Sequence, residues 1–278
     1  MVRTIVLLTD FGPGSPYIGQ MKGVLASIAP GAPLLDLCHD VRPRNVAEAA
    51  FVLGGSWRRF PKESVFVAVV DPGVGSERAI VALETPRAIF LASDNGLLTY
   101  VWEGIVKRET VGSQGPVKRE TLYRLRSVTA RRLFLPRVSN TFHGRDIFAP
   151  VAARLARGFP VTLLGPRLPG LRTLPLSRPE ALPDGSLRCH VLFVDRFGNL
   201  VTDAAAADLP AGELVVEVAD RVIRGLSPSY AAADGLLALV DSWDRLEIAL
   251  RDGAAAAELG LGVGDLVLVR PVGHCPKL

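Results

Sequence analysis

A continuous apolar run at residues 65–70 constrains the fold of this chain most strongly. Six consecutive apolar residues, four of them valine, are typical of a strand buried on both faces of a helix-covered parallel sheet. Strand and helix patterns alternate around this run. The predicted strands are 5–8, 34–38, 65–70, 80–84 and 89–92, and the predicted helices are 17–29, 45–57 and 146–157. This alternation predicts an N-terminal layered α/β domain with a largely parallel sheet, over residues 1–165.

The chain changes character after this domain. Prolines recur through residues 166–185, which predicts a linker. Short strand patterns separated by turns follow, with one short alanine-rich helix at 254–259. The predicted strands are 187–194, 213–218, 236–240, 245–250 and 265–270. These patterns predict a smaller C-terminal antiparallel β-barrel domain over residues 186–278.

Composition limits the classes of partner. The chain has 278 residues, is 49% hydrophobic and 22% charged, and carries a formal net charge of +4, which is ordinary for a globular protein and does not require nucleic acid. The arginine-rich stretch at 118–137 fits a solvated loop better than a nucleic-acid-binding stripe. There is no apolar run of membrane-spanning length, no signal peptide and no closely spaced cysteine pair. We expect a cytoplasmic protein with neither a membrane nor a nucleic-acid partner.

Three polar loops lie where predicted strands end or a helix begins. Loop 1 is residues 9–12, loop 2 is residues 71–78 and loop 3 is residues 139–146. Ligands bind beyond the carboxyl ends of the strands in open α/β sheets, so these loops form the candidate site.

Each loop taken alone permits a structural and a functional interpretation. Asp10 either holds a ribose diol or caps the following turn. Asp71 and Arg78 either act in catalysis or pair across the turn, and the bare pattern favours the structural ion pair. His143 is either a general base or an ordinary loop histidine, which is the commoner case. The residues alone leave these alternatives open.

Several familiar chemistries do not fit these loops. Loop 2 lacks the Gly-Lys-Ser/Thr of a phosphate-binding loop, and its Gly-x-Gly-x-x is followed by Arg78 instead of the Gly or Ala of a dinucleotide fingerprint. Its glycines instead predict a sharp turn and a close backbone approach. No metal-ligand spacing occurs, so we expect no metal, and no Gly-x-Ser-x-Gly elbow occurs, so we do not expect a serine-hydrolase nucleophile elbow. A serine hydrolase using Ser139 with His143 is a remote alternative.

The loops form a recognisable set when they are taken in order with further motifs. The set is TDFG (9–12), Tyr17, MKG (21–23), VVDPGVG (69–75), DNGLL (94–98), TFHGRDIFAP (141–150), DRFGN (195–199) and SWDRLEIA (242–249). It resembles the S-adenosyl-L-methionine (SAM) hydrolase (adenosine-forming) family, also called the SAM hydroxide adenosyltransferases. The family is related to fluorinating and chlorinating enzymes that act on the same substrate. The resemblance covers nearly the whole chain.

The resemblance implies a fold, an assembly and a reaction. The fold is an α/β domain joined to a β-barrel, and the assembly is a homotrimer whose active sites lie between the first domain of one subunit and the second domain of its neighbour. The reaction converts SAM and water into adenosine and methionine without a cofactor. The implied water-activating set is Asp71, Arg78 and His143. The implied substrate contacts are Asp10 for the ribose, Asn199 and a stacking Tyr230 for the adenine, and Asp195 and Ser242 for the methionine.

Two departures from the family pattern affect substrate recognition. Ser15 stands where many members carry an aspartate for the methionine ammonium, and Arg251 stands where an asparagine often follows the LEIA strand. Two alternative functions follow from the same resemblance. A SAM-dependent halogenase is disfavoured because the Asp71 carboxylate would repel a halide. A non-catalytic SAM- or adenosine-binding module is disfavoured because Asp71, Arg78 and His143 are all present.

Overall fold

A computed structural model describes residues 2–111 and 123–272. The chain divides into two compact units, Met1–Leu174 and Pro175–Leu278. The division lies inside the proline-rich segment 166–185. Cys38 and Cys189 are free thiols, and Cys275 lies outside the described residues.

A six-stranded sheet forms the centre of the first unit, in the order β2-β1-β3-β5-β4-β6. The strands are β1 (Ile5–Thr9), β2 (Leu34–Cys38), β3 (Ser64–Val69), β4 (Ile80–Glu84), β5 (Ala88–Ser93) and β6 (Arg124–Ser127). The pairings among β2, β1, β3 and β5 are parallel, whereas β4 pairs antiparallel with both β5 and β6. The predicted layered domain with a largely parallel sheet is confirmed.

Helices cover the sheet because its central strands are apolar on both faces. The helices are α1 (Pro16–Ile28), α2 (Val46–Ser56), α3 (Thr99–Val111) and α4 (Ala149–Ala156). Every residue of β3 is buried, as the apolar run predicts. On one face Val65 and Val67 share a core with Met21 of α1 and with α4. Phe66 and Phe90, which point to the other face, stack with their ring centroids 5.1 Å apart.

One local prediction for this unit is wrong, one helix was not predicted, and one predicted helix begins as a π-helical turn. Helix α3 was not predicted. The predicted loop 118–137 is wrong at residues 124–127, which form β6, and residues 118–122 lie outside the described part. The predicted helix 146–157 is α4 preceded by a π-helical turn, Gly144–Phe148. That turn carries part of loop 3, and π-helical turns are often found at functional sites.

The second unit is an eight-stranded antiparallel sheet that is nearly closed like a barrel, in the order β11-β10-β14-β8-β9-β13-β12, with β7 paired to β8. The strands are β7 (Glu180–Ala181), β8 (Leu187–Val194), β9 (Leu200–Ala205), β10 (Leu214–Val218), β11 (Arg221–Arg224), β12 (Leu236–Val240), β13 (Arg245–Leu250) and β14 (Leu266–Pro271), with helix α5 at Ala255–Leu259. The predicted barrel is confirmed, although β7, β9 and β11 were not predicted. Over the described residues, no helix is both long and apolar enough to cross a membrane.

Candidate active site

Loops 1 and 2 begin at the same edge of the first-unit sheet. Loop 1 follows β1 and loop 2 follows β3, and these two strands pair in parallel, with Thr9 opposite Val69. Their carboxyl ends therefore deliver Asp10 and Asp71 to one place. A cavity of about 280 Å³ lies there, and loop 3 contributes to it. Its lining residues are Asp10, Phe11, Tyr17, Val69, Asp71, Val74, Thr141, Phe142, His143, Gly144 and Phe148.

Asp71 is the centre of a hydrogen-bond network at the cavity wall. Its Oδ1 accepts hydrogen bonds from the Arg78 guanidinium and from the Gly73 N–H, the latter at 2.9 Å. Its Oδ2 accepts a hydrogen bond from the Ser93 hydroxyl at 2.6 Å. The Asp71 side chain is 11% exposed and that of Arg78 is 26% exposed. The ion pair is therefore present, and because Asp71 also lines the cavity, its structural and functional interpretations are compatible.

The glycines of loop 2 allow two close approaches, as their spacing predicts. A Cβ added at Gly73 would lie 2.7 Å from Nη1 of Arg78, so only glycine lets the guanidinium lie against this backbone. Gly75 has φ +85°, and a Cβ there would lie 2.7 Å from the carbonyl oxygen of Asn140 in loop 3. Loops 2 and 3 are therefore in direct contact.

Asp10 links loop 1 to the chain that follows β2. Its Oδ2 accepts a hydrogen bond from the Arg44 N–H at 2.7 Å, and Arg44 has a positive φ of 66°. The residue before it, Thr9, is hydrogen-bonded through its hydroxyl to Nδ1 of His39 at 2.8 Å. Gly12 N–H donates to the His39 carbonyl at 2.8 Å. These contacts hold loop 1 with Asp10 facing the cavity.

Asp146 anchors loop 3 next to His143. Its carboxylate accepts two hydrogen bonds from Arg145, at 2.6 and 3.0 Å, and one from the Ser139 N–H at 2.8 Å. Burial opposes ionisation of Asp146, but the bonds from Arg145 and Ser139 outweigh it and lower the pKa of this carboxyl. The bond from Ser139 to Asp146 joins the first and last residues of loop 3. His143 lies between them, is half-buried and lines the cavity.

Three aromatic rings form an apolar wall of the same cavity. Phe11, Tyr17 and Phe142 meet edge to face, with ring centroids 5.0 to 6.0 Å apart. A Cβ at Gly144 would lie 3.2 Å from Cε2 of Phe142 and 3.1 Å from Sδ of Met21. The three rings line the cavity together with the carboxylates of Asp10 and Asp71, so it has both apolar and charged lining residues.

The remaining predicted site residues belong to the second unit, where a cavity of about 510 Å³ lies between turns of the barrel. Asp195, Tyr230 and Ser242 line it, together with Val201, Pro228, Ser229, Leu239, Val240, Asp241, Trp243 and Glu247. Asn199 is not a lining residue of this cavity. It is buried beside Asp195, to which its side-chain amide donates a hydrogen bond of 3.0 Å.

Asp195 and Asn199 belong to one tight turn. Oδ1 of Asp195 accepts hydrogen bonds from the N–H groups of Phe197 and Asn199 at 2.8 and 2.9 Å. Gly198 in this turn has φ +82° and packs against Ala254, so a side chain at this position would clash. The sequence DRFGN therefore shapes the turn itself as well as supplying side chains to the site.

Glu247 is a further residue of this cavity, which the sequence motifs did not predict as a site residue. This residue is 3% exposed, and its Oε1 accepts a hydrogen bond of 2.9 Å from the Tyr230 hydroxyl. Burial raises the pKa of Glu247 to about 7, and the carboxylates of Asp241 and Asp195 act in the same direction, against the hydrogen bond from Tyr230. The sequence feature that could have identified Glu247 is a glutamate within the otherwise apolar segment LEIA (246–249).

The two departures from the family pattern have structural partners of their own. Ser15 is the N-cap of α1, and its hydroxyl accepts a hydrogen bond of 3.4 Å from the Tyr17 N–H. Arg251 Nη1 lies 2.8 Å from Oδ1 of Asp234. Within residues 2–111 and 123–272, no group of three or more His, Cys, Asp or Glu side chains is arranged to hold a metal ion.

Comparison with known proteins decides the family. The model of the SAM hydroxide adenosyltransferase N-terminal domain matches residues 5–165, and that of the C-terminal domain matches residues 189–268. The chain belongs to the SAM hydroxide adenosyltransferase family. It is similar to the (R)-S-adenosyl-L-methionine hydrolase of Thermus thermophilus, with 38% identity over 95% of this chain and 98% of the relative. The protein of the same name from Salinispora arenicola is 36% identical over 95% and 97%.

More distant relatives and solved structures agree with this family. A fluorinase from Nocardia brasiliensis is 27% identical over 96% of each chain. The crystal structure of an uncharacterized conserved protein from Thermotoga maritima has a TM-score of 0.84 and 33% identity, covering 96% of this chain and 100% of that one. The resemblance that the motifs indicate is therefore confirmed, and the halogenating relatives are the more distant branch.

Proposed function

We propose that this protein hydrolyses S-adenosyl-L-methionine to adenosine and L-methionine. The proposal rests mainly on the cavity at the edge of the first-unit sheet. Asp10, Asp71 and His143 all line this cavity, and Asp71 is paired with Arg78. Family membership supports the same reaction, because relatives with 36% and 38% identity over nearly the whole chain carry the name (R)-S-adenosyl-L-methionine hydrolase.

The reaction is an in-line displacement at C5′ of the substrate. The oxygen of water forms a bond to C5′ while the bond from C5′ to the sulfonium sulfur breaks and its electron pair stays on sulfur. Methionine leaves as a neutral thioether, so no acid is needed to protonate the leaving group. The attacking water loses one proton. Water is a very weak acid, so the protein must stabilise developing hydroxide.

Asp71, Arg78 and His143 are suited to activate this water. The positive charge of the Arg78 guanidinium stabilises a developing hydroxide. Asp71 orients Arg78 through their ion pair and has further lone pairs that can accept a hydrogen bond from water. His143 positions the water or accepts its proton, and such base assistance contributes about 10²–10⁴-fold to the rate of typical enzymes. No metal or other cofactor takes part in this scheme.

Substrate recognition is divided between the two units. Asp10 accepts hydrogen bonds from the ribose hydroxyls, and Tyr230 stacks on the adenine, an interaction of about 1–3 kcal/mol in other base-binding proteins. Asn199 contacts the adenine through the hydrogen-bonding capacity that its amide retains beside Asp195. Asp195 and Ser242 hold the methionine end, which compensates for the absence of a carboxylate at Ser15.

The deciding experiment uses isotopically labelled water. Purified protein is incubated with SAM in ¹⁸O water, and the products are analysed by mass spectrometry beside two variants of loop 2, Asp71→Ala and Glu77→Ala. Glu77 is an exposed carboxylate in the same loop and serves as the matched control. We expect ¹⁸O in adenosine from the wild type and from Glu77→Ala, and none from Asp71→Ala.

Other outcomes would support the alternative functions. Formation of 5′-halo-5′-deoxyadenosine when halide is supplied would identify a halogenase. Binding of SAM without turnover, unaffected by Asp71→Ala, would identify a binding module and contradict the proposed hydrolysis.

A further inference from the structure

Glu247 lines the second-unit cavity but has no role in the hydrolysis proposed above. It occupies the centre of β13, where its cross-strand neighbours are the apolar residues Leu239 and Val201. Burial of a carboxyl group is costly unless hydrogen bonds or charges compensate for it. We therefore expect the buried Glu247 carboxyl group to have a specific role in binding or positioning.

Glu247 contacts Tyr230, the residue predicted to stack on the adenine. Tyr230 begins a short 3₁₀ turn, Tyr230–Ala232, and is half exposed. Its hydroxyl donates the 2.9 Å hydrogen bond to Glu247. The far end of the ring is therefore fixed to the sheet, although the ring itself is not enclosed by the core. Tyr230 also lines the cavity, so the contact restrains a ring that is available to a ligand there.

The groups around Glu247 are mainly acidic. The groups that face it are Tyr230 from the turn, Asp195 from the turn after β8, and Asp241 from the turn after β12. Arg245, two positions away on β13, directs its guanidinium to the carbonyl of Asp203. Negative charge is thus concentrated at this cavity, and a cation entering it would relieve the repulsion among the carboxylates.

We propose that Glu247 is a positioning residue, which holds the Tyr230 ring for stacking and gives this cavity a preference for a sulfonium cation over the neutral thioether. The inference rests on the proposed function, in which the cavity receives part of SAM. It adds a basis for discriminating the charged substrate from uncharged nucleosides of the same shape.

Proton linkage gives the inference a measurable signature. Burial raises the pKa of Glu247 to about 7 in the free protein, so the group titrates in the neutral pH range. A bound cation favours the carboxylate, so binding releases a proton. Each unit by which the ligand lowers this pKa strengthens cation binding about tenfold above the titration range relative to below it.

The test compares two ligands that differ in charge. Sinefungin, in which an amine-bearing carbon replaces the sulfonium, is the cationic ligand, and S-adenosylhomocysteine is the neutral thioether. Dissociation constants are measured by calorimetry between pH 5.5 and 8.0 for the wild type, Glu247→Gln and Tyr230→Phe. The glutamine retains an oxygen that can accept the Tyr230 hydrogen bond, whereas the phenylalanine retains the ring without its hydroxyl.

Each protein has its own expected result. For the wild type, the preference for sinefungin rises with pH, by about sevenfold from pH 5.5 to 8.0 for a ligand that lowers the pKa of Glu247 by one unit. For Glu247→Gln the preference is small and independent of pH. For Tyr230→Phe both ligands bind more weakly by a similar factor, because the ring is no longer fixed, and the pH dependence persists.

Two results would overturn the inference: a pH-independent preference in the wild type, or an unchanged pH-dependent preference in Glu247→Gln. If Glu247→Gln does not fold, proton release by the wild type decides the question. It is measured at pH 6.5 in two buffers of different ionisation enthalpy, and equal proton release with both ligands would contradict the inference. Failure of the folded wild type to bind either ligand would instead overturn the proposed function, on which the inference depends.

Discussion

Gly73 controls the position of the Arg78 guanidinium in loop 2. A methyl group at residue 73 would overlap a flexible side-chain end and not the backbone. We therefore expect Gly73→Ala to displace Arg78 from Asp71, lowering kcat about 10²-fold or more with little loss of stability. Steady-state turnover of SAM and thermal unfolding measure the two effects.

A control for Gly73→Ala is available in α1. Gly23 is exposed, and a Cβ there would meet nothing within 4 Å. Gly23→Ala should stabilise the helix by about 0.5–1 kcal/mol and leave turnover unchanged. Full activity in Gly73→Ala would show that the placement of Arg78 against this backbone is not needed for catalysis.

Glu247 predicts a pH-dependent stability. Its pKa is raised from 4.5 to about 7 on folding, so the folded protein binds the proton more tightly than the unfolded chain. This group's contribution to stability is greatest below pH 4.5 and is lost as the pH rises through 7. Glu247→Gln should therefore raise stability by an amount on the order of 2 kcal/mol at pH 8 and much less at pH 5. A Tm gain independent of pH would contradict the raised pKa.

At the scale of residues, part of the candidate site could be predicted from the sequence. Loop order and strand ends predicted that Asp10, Asp71 and His143 would face one cavity, because parallel strands deliver their carboxyl ends to one edge. The Asp71–Arg78 pair followed from opposite charges at the two ends of a glycine-rich turn. The Tyr230–Glu247 contact could not be read from the sequence, since it joins residues 17 positions apart through the pairing of β12 with β13.

At the scale of elements, loop 3 depends on one buried carboxylate. Asp146 is 1% exposed and holds Ser139 and Arg145 on either side of His143. We expect Asp146→Asn to lower stability by about 1–3 kcal/mol, because Arg145 loses its charged partner. We also expect turnover to fall, because the loop that carries His143 loosens.

The effect of Asp146→Asn should depend on pH. The pKa of Asp146 is lowered on folding, so its stabilising effect is present above the pKa of the unfolded state and is lost as the pH falls through the folded value. The wild type and Asp146→Asn should therefore converge in Tm at acidic pH. Asp252→Asn is the control: its side chain is 92% exposed and its positive φ of 56° suits asparagine. Equal Tm values for all three proteins at pH 7 would contradict the anchoring role.

Elements with strong periodicity were predicted well, and weak ones were not. Strands 34–38, 80–84, 187–194, 236–240 and 245–250 have the predicted bounds. Helix α3 was missed because Thr99–Val111 combines β-branched, aromatic and charged residues without a clear apolar stripe. Strand β11 has only four residues, two of them arginine, and β9 contains Asp203. The strand conformation of both depends on pairing with neighbours that no local pattern reveals.

At the scale of the whole molecule, each compact unit carries its own cavity with part of the predicted site. The family resemblance predicts a homotrimer in which the two parts that form one active site come from neighbouring subunits. This arrangement has a consequence for mixed assemblies. An Asp71→Ala subunit has an intact second unit, and a Tyr230→Ala subunit has an intact first unit.

Co-expression of the two impaired chains tests this prediction of a shared site. Random assembly into trimers would pair an intact first unit with an intact second unit in about one quarter of the sites, provided that all subunit contacts are equivalent. We therefore expect mixed trimers to recover about a quarter of the wild-type turnover of SAM, although each variant alone is impaired. Light scattering on the same samples gives the oligomeric state. A monomer, or a trimer without recovered activity, would show that both parts of an active site come from one chain.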